Sequence, residues 1–147
     1  MNLTEHFTYE EMTRTDYAEF LDENRRRGGP FVPNMVQVCG RLEKVRQFFG
    51  SPVIVESGFR YPALNTHIKG SGNSQHLTGD AADFKLRDFN DFNGLKFVFF
   101  WCMNNLDYGQ LILENPPNSK PWIHIGLPRP GRAKTQYVYQ QGVYSPV

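Results

Sequence analysis

The chain has 147 residues, the size of one domain, and its hydrophobic (39%) and aromatic (14%) content is enough for a core, which argues against disorder. Its formal charge of +1, from 16 basic and 15 acidic residues, provides no global field to gather nucleic acid or an anionic membrane. The 10 Pro and 13 Gly predict substantial loop content and few long helices.

The opening MNLTEHFTYEE lacks the basic start and apolar stretch of a secretory signal. Thr8 and Glu11 have capping-box spacing, with Phe7 and Met12 placed as a hydrophobic staple, so a helix is expected from here toward Phe20 or Leu21. Arg25–Arg27, diluted by Asp22 and Glu23, reads as a solvated helix end, and Arg25 to Pro33 as a loop. A second helix starts at Asn34. Met35, Val38, Leu42, Val45 and Phe49 form its apolar stripe, and Gly50 stops it.

Val53-Ile54-Val55 predicts a strand, followed by a polar loop to about Gln75. Ala81 to Leu86 alternates loosely as a second strand. Phe92, Leu95, Val98, Phe99, Cys102 and Leu106 mark a third helix capped by Asn90 or Asp91. Gly109–Glu114 and Trp122–Leu127 pair best as a hairpin, and the tyrosine-bearing tail supplies either an edge strand or a cleft wall. Cys39 and Cys102 sit in apolar helical patterns and are expected as buried free thiols. The longest apolar run, Phe97 to Met103, is too short to span a bilayer. No boundary or repeat divides the chain, so residues 1–147 are expected to form a single domain. The element order predicts an α+β fold, with helices on one side of a small, mainly antiparallel sheet.

The chemistry concentrates in Ser74-Gln75-His76-Leu77-Thr78-Gly79-Asp80-Ala81-Ala82-Asp83. His76 offers an imidazole nitrogen and Asp83 a hard oxygen, and Thr78-Gly79 argues that they converge from a loop end and a strand. In Trp122-Ile123-His124-Ile125, alternation puts His124 opposite the two isoleucines. Two His and one Asp would leave a tetrahedral metal one open position, as catalytic sites do. Spacing alone leaves other uses open: a strand His satisfied by hydrogen bonds, and an Asp that braces a loop. A Ser74-His76-Asp83 triad has the right atoms but no GxSxG elbow.

Ser74, His76, Gly79, Ala81 and Asp83 match the SxHxxGxAxD motif of the M15 zinc peptidases. Trp122-Ile123-His124 resembles that family's WxH element, and Ser57-Gly58-Phe59-Arg60 with Asn65 its SGxR…N segment. Leu3, His6-Phe7-Thr8 and Glu11-Met12 look like the opening of its small carboxypeptidase branch. The resemblance implies a hedgehog-like, D-Ala-D-Ala peptidase-like fold, zinc held by His76, Asp83 and His124, and hydrolysis of D-Ala-containing peptidoglycan stem peptides. The family includes carboxypeptidases and phage endolysins, and the resemblance does not choose between carboxypeptidase and endopeptidase. With no signal peptide, the chain is expected to be cytoplasmic until released by another route, or phage-associated, and monomeric.

Several family members carry a catalytic acid three residues before the last His ligand. That position is Pro121 here, so Glu114, at the end of the strand leading into the hairpin loop, is the expected general base. The plainer alternative is a solvated Glu beside Asn115. Arg60 is expected to donate to the transition-state oxyanion or the substrate carboxylate, unless Glu56 or Asp80 claims it in a structural pair. Ser74 and Gln75 are read as shaping the ligand loop, and His67 as a weak candidate for the cleft rim. The competing function is a non-catalytic, zinc-containing wall-binding or phage structural module, favoured by the missing acid at Pro121.

Overall fold

The computed structural model describes residues 1–147. Thr8 Oγ1 accepts the Glu11 N–H at 3.1 Å, and Phe7 and Met12 are buried. Helix α1 (Tyr9–Met12) nevertheless lasts one turn and does not reach Phe20. Its last carbonyls are taken from elsewhere: Met12 O accepts from Phe59 N–H at 2.7 Å, and Thr13 O from Asn24 Nδ2 at 2.8 Å. Gly58 permits this approach, because a Cβ there would run into the Met12 backbone.

Helix α2 (Ala18–Arg27) then starts afresh and ends in the arginine run, the expected solvated helix end, so the loop begins only after Arg27. A 3₁₀ turn (Gly29–Phe31) leads into α3 (Val32–Phe49). Asn34 does not cap α3. Its side-chain amide donates to Thr78 O at 2.8 Å, tying the helix to the segment that carries His76. At 18 and 14 residues, α3 and the later helix Phe92–Asn105 are longer than the Pro and Gly content predicts. The proline and glycine residues fall mostly between elements rather than within them.

Strand β1 (Val53–Ser57) is followed by a short helix α4 (Pro62–His67) where a loop is expected. Pro62 pre-sets the backbone of its first turn. Strand β2 (Ala81–Leu86), α5 (Phe92–Asn105), β3 (Gln110–Asn115) and β4 (Trp122–Gly126) come next. Asp91 caps α5 by accepting the Gly94 N–H at 2.6 Å. The tail forms two strands, β5 (Thr135–Gln140) and β6 (Val143–Pro146). The six strands make one sheet in the order β1-β2-β4-β3-β5-β6. Every adjacent pair is antiparallel except β3–β5, and β3–β4 is the expected hairpin. The fold is α+β with a mainly antiparallel sheet.

Alternation gives the sheet two unlike faces. Ala82, Phe84 and Leu86, Leu111 and Leu113, Ile123 and Ile125 point one way and are buried with the stripes of α3 and α5 in one core cluster. Each large side chain fully buried there contributes roughly 1.5–3 kcal/mol. Cys39 and Cys102 lie in this core as free thiols, pushed up to about 12 chiefly by burial. The opposite face carries Asp83, His124, Ile112, Glu114 and Trp122. Because the side-chain period is two, the register that buries Phe84 and Ile123 also presents Asp83 and His124.

Candidate metal centre

Asp83 of β2 pairs with His124 of β4, which pairs with Ile112 of β3, so the two polar residues are neighbours across adjacent strands. His124 Nδ1 lies 2.9 Å from Asp83 Oδ1. His76 arrives from a separate element, the 3₁₀ turn Gln75–Thr78. Ser74 caps that turn by accepting the His76 N–H at 3.2 Å. Gly79 ends it at φ +70°, a left-handed conformation that favours glycine, and a Cβ there would sit 2.9 Å from Phe31 Cβ. Together these place His76 Nε2 3.3 Å from Asp83 Oδ1.

The orientation of His76 traces back to the N-terminal helices. Buried Asn24 donates to the carbonyls of Thr13 and Phe59, and accepts from Tyr61 N–H at 2.9 Å. This holds residues 58–61 in place, and Gly58 O lies 2.6 Å from His76 Nδ1. A carbonyl can only accept, so Nδ1 carries the proton, and in the neutral ring Nε2 is a bare lone pair. Burial also pushes His76 toward the neutral form, against the opposing charge of Asp83. A lone pair therefore faces a carboxylate oxygen, an arrangement that a cation between them resolves.

The ligand atoms of His76, Asp83 and His124 all lie within 4.8 Å of one another. Ligands about 2.0–2.1 Å from a tetrahedral zinc are about 3.3 Å apart, close to the two separations from Asp83. Asp83 is held far below the usual carboxylate range. Burial alone would raise it, but its close contacts with the His76 and His124 imidazoles prevail. His124 Nε2 is buried without a partner. The donor set, the burial and the facing acceptors fit a divalent metal. Carbonyl anchoring of His76 Nδ1 is the support that metal-bound imidazoles commonly have.

A family model described as Peptidase M15 matches residues 5–106, well over half of the chain. The chain belongs to the M15 peptidase family. No curated protein matches it. The match includes His76 and Asp83 and ends before Glu114 and His124, which this M15 chain brings in on the β3–β4 hairpin.

Arg60 lies beside the cluster without a carboxylate partner. Glu56 pairs with Lys85 at 2.9 Å, and Asp80 pairs with Arg129 at 3.1 Å, so both expected structural partners are engaged elsewhere. Arg60 Nη2 donates to Ser74 Oγ at 3.2 Å, while its Nε is buried and unpaired. Burial lowers its pKa, partly opposed by the charge of Asp83.

Glu114 stands on the sheet face of His124, opposite Trp122 in the register. Burial raises its pKa. The Tyr144 hydrogen bond opposes this, and its carboxyl feels the charges of both Asp83 and His124. Its side chain is half-buried rather than fully solvated. His67 packs against Tyr17 and Phe20, each at 4.8 Å between ring centroids, as a packing residue.

Sequence reading missed Asn24 and Arg129, and placed Tyr144 only in a tail read as an edge strand or a cleft wall. Asn24 hides in an arginine-rich helix. Arg129 and Tyr144 lie in or beside a tail whose pairing has no local signature. Two cavities flank the ligands along β4: one of about 290 Å³, lined in part by Arg60, Asp83 and Trp122, and one of about 610 Å³, lined in part by His124, Gln110 and Arg132.

Proposed function

We propose that this M15 chain is a zinc peptidase that hydrolyses peptide bonds in the stem peptides of bacterial cell-wall peptidoglycan. The observation that carries the reading is the His76 lone pair facing Asp83, with His124 beside them on a shared sheet face. His76, Asp83 and His124 would hold the metal, and the nitrogen-rich donor set with one carboxylate suits zinc. Zinc held there would supply Lewis acidity for hydrolysis of a peptide bond by water.

The protein's own groups supply the rest. Glu114 takes a proton from the attacking water and passes it to the leaving amine. Burial supports this role, because a carboxylate with a raised pKa is a stronger base than an ordinary one. The guanidinium of Arg60, a residue lining the cavity beside Asp83, donates to the oxygen on which negative charge develops, or to a substrate carboxylate. The two cavities accommodate a peptide that extends both ways from the scissile bond. No helix is long and apolar enough to cross a membrane.

Pro121 favours one alternative, a wall-binding or phage structural module that keeps the metal without turnover. Incubating the zinc-loaded protein with purified peptidoglycan and weighing the released peptides by mass spectrometry separates the readings. Free D-Ala identifies a carboxypeptidase, and separated cross-linked stems an endopeptidase. Binding to the wall with no product from any peptide bond would support the module and overturn hydrolysis.

A further inference from the structure

The last strand reaches back to the proposed base. β6 pairs only with β5, through Tyr144↔Tyr139, and β5 pairs in parallel with β3 through Tyr139↔Glu114. Two register steps therefore carry Tyr144 from the sheet edge to the metal-facing side of Glu114's strand. Its hydroxyl lies 3.2 Å from Glu114 Oε1 and 3.4 Å from Oε2, so one donor spans both carboxylate oxygens. The Tyr144 ring lies 4.5 Å from Tyr139 and 6.4 Å from Tyr137, centroid to centroid, which limits its swing.

Glu114 makes no other side-chain hydrogen bond and no ion pair. Nothing else of this kind holds its carboxylate. A glutamate has three rotatable side-chain bonds, and a general base must lie within about 2.6–3.2 Å of the proton it removes. Ordering such a side chain costs conformational entropy that something must offset before each turnover.

We propose that Tyr144 is the positioning residue of Glu114: its hydroxyl clamps the carboxylate in the orientation for proton transfer, making the C-terminal β5–β6 hairpin part of the active centre. The inference rests on Glu114 as the base. A bridging donor suits the role, because a carboxylate has about four lone-pair sites and one hydroxyl leaves the others free. The Tyr144 hydroxyl bonds to Glu114 and makes no hydrogen bond to His76, Asp83 or His124, so its effect passes through Glu114.

The test compares Tyr144→Phe, which removes only the hydroxyl, with Tyr139→Phe, which leaves the clamp intact, and with Glu114→Gln. In the zinc-loaded protein, Tyr144→Phe is expected to lower kcat about ten- to a hundredfold with KM nearly unchanged, because the base is misplaced and substrate contacts are not. Zinc content and Tm should stay at wild-type values, and Tyr139→Phe should behave as wild type. In metal-free protein, side-chain NMR relaxation should show the Glu114 methylenes more mobile in Tyr144→Phe and unchanged in Tyr139→Phe. Wild-type kcat and unchanged Glu114 mobility in Tyr144→Phe, with Glu114→Gln inactive, would overturn the clamp while leaving the base in place. Full activity in Glu114→Gln would instead remove the base reading, and the clamp with it.

Discussion

Two aspartates three residues apart divide the labour of this site. Asp80 is satisfied by the protein: it accepts from Arg129 Nε at 3.1 Å, from Gln75 Nε2 at 3.0 Å and from the Thr78 hydroxyl. Burial would raise it, yet these donors and the Arg129 charge together hold it below its ordinary value. Asp83 meets two imidazoles, one of which points a lone pair at it. The same residue type is structural where donors surround it, and a candidate ligand where acceptors face it. Burial of a carboxylate does not by itself mark function. The balance of donors and acceptors around it does.

The sharpest way to break the comparison is to exchange the fates of the two residues. His76→Ala is expected to take zinc content from equimolar toward none and to abolish peptide hydrolysis, as elemental analysis and a wall-peptide assay would read. Asp80→Asn should keep both. Unchanged zinc in His76→Ala would sink the ligand assignment.

Glu114→Gln comes next in size. It is expected to keep zinc and Tm but lower kcat at least about a hundredfold. Because burial raises the Glu114 pKa, the acid limb of kcat/KM should lie above the ordinary glutamate value of about 4.3, with activity lost as pH falls through it. That limb should be absent from the residual activity of the Gln variant. A pH profile identical in wild type and variant would move the base to another group.

Arg129→Ala tests the structural half. It should cost about 1–2 kcal/mol of stability, allowing for partial solvent access, and leave zinc binding intact. Asp80 has a depressed folded pKa, so its contribution is full above the unfolded value of about 3.9 and is lost as pH falls through the folded one. The Tm gap between wild type and Arg129→Ala should therefore close as pH drops below about 4. A gap that widens on acidification would contradict the assignment. The smallest effect belongs to Glu56→Gln, which weakens the half-exposed pair with Lys85 and should shift stability by less than about 1 kcal/mol, with kcat unchanged.

Spacing alone left the uses of His76, Asp83 and His124 open, and the resemblance to the M15 motifs marked them as candidate ligands. The local turn-to-strand unit of His76, Gly79 and Asp83 and the face of His124 were legible as short-range patterns. The capping box at Thr8 and the stripes of α3 and α5 were legible for the same reason, since each is a short-range pattern. The early end of α1 was not, because it depends on Met12 and Thr13 carbonyls being claimed by Phe59 and by Asn24. Nor was the β3–β5 pairing: parallel register between β3 and a strand beyond the hairpin leaves no periodic trace, and with it went Tyr144. Even Arg60 was only half legible. Its freedom shows only once Glu56 and Asp80 are seen paired with other residues.

The central claim is that a cation belongs between the His76 lone pair and Asp83. Anomalous diffraction at the zinc edge, on crystals of protein purified without added metal and again after zinc soaking, tests it most directly. The account predicts one peak about 2.0–2.2 Å from His76 Nε2, an Asp83 oxygen and a His124 nitrogen. A soaked crystal with no peak there, or with its zinc bound elsewhere and His76 Nε2 still facing Asp83, would contradict it.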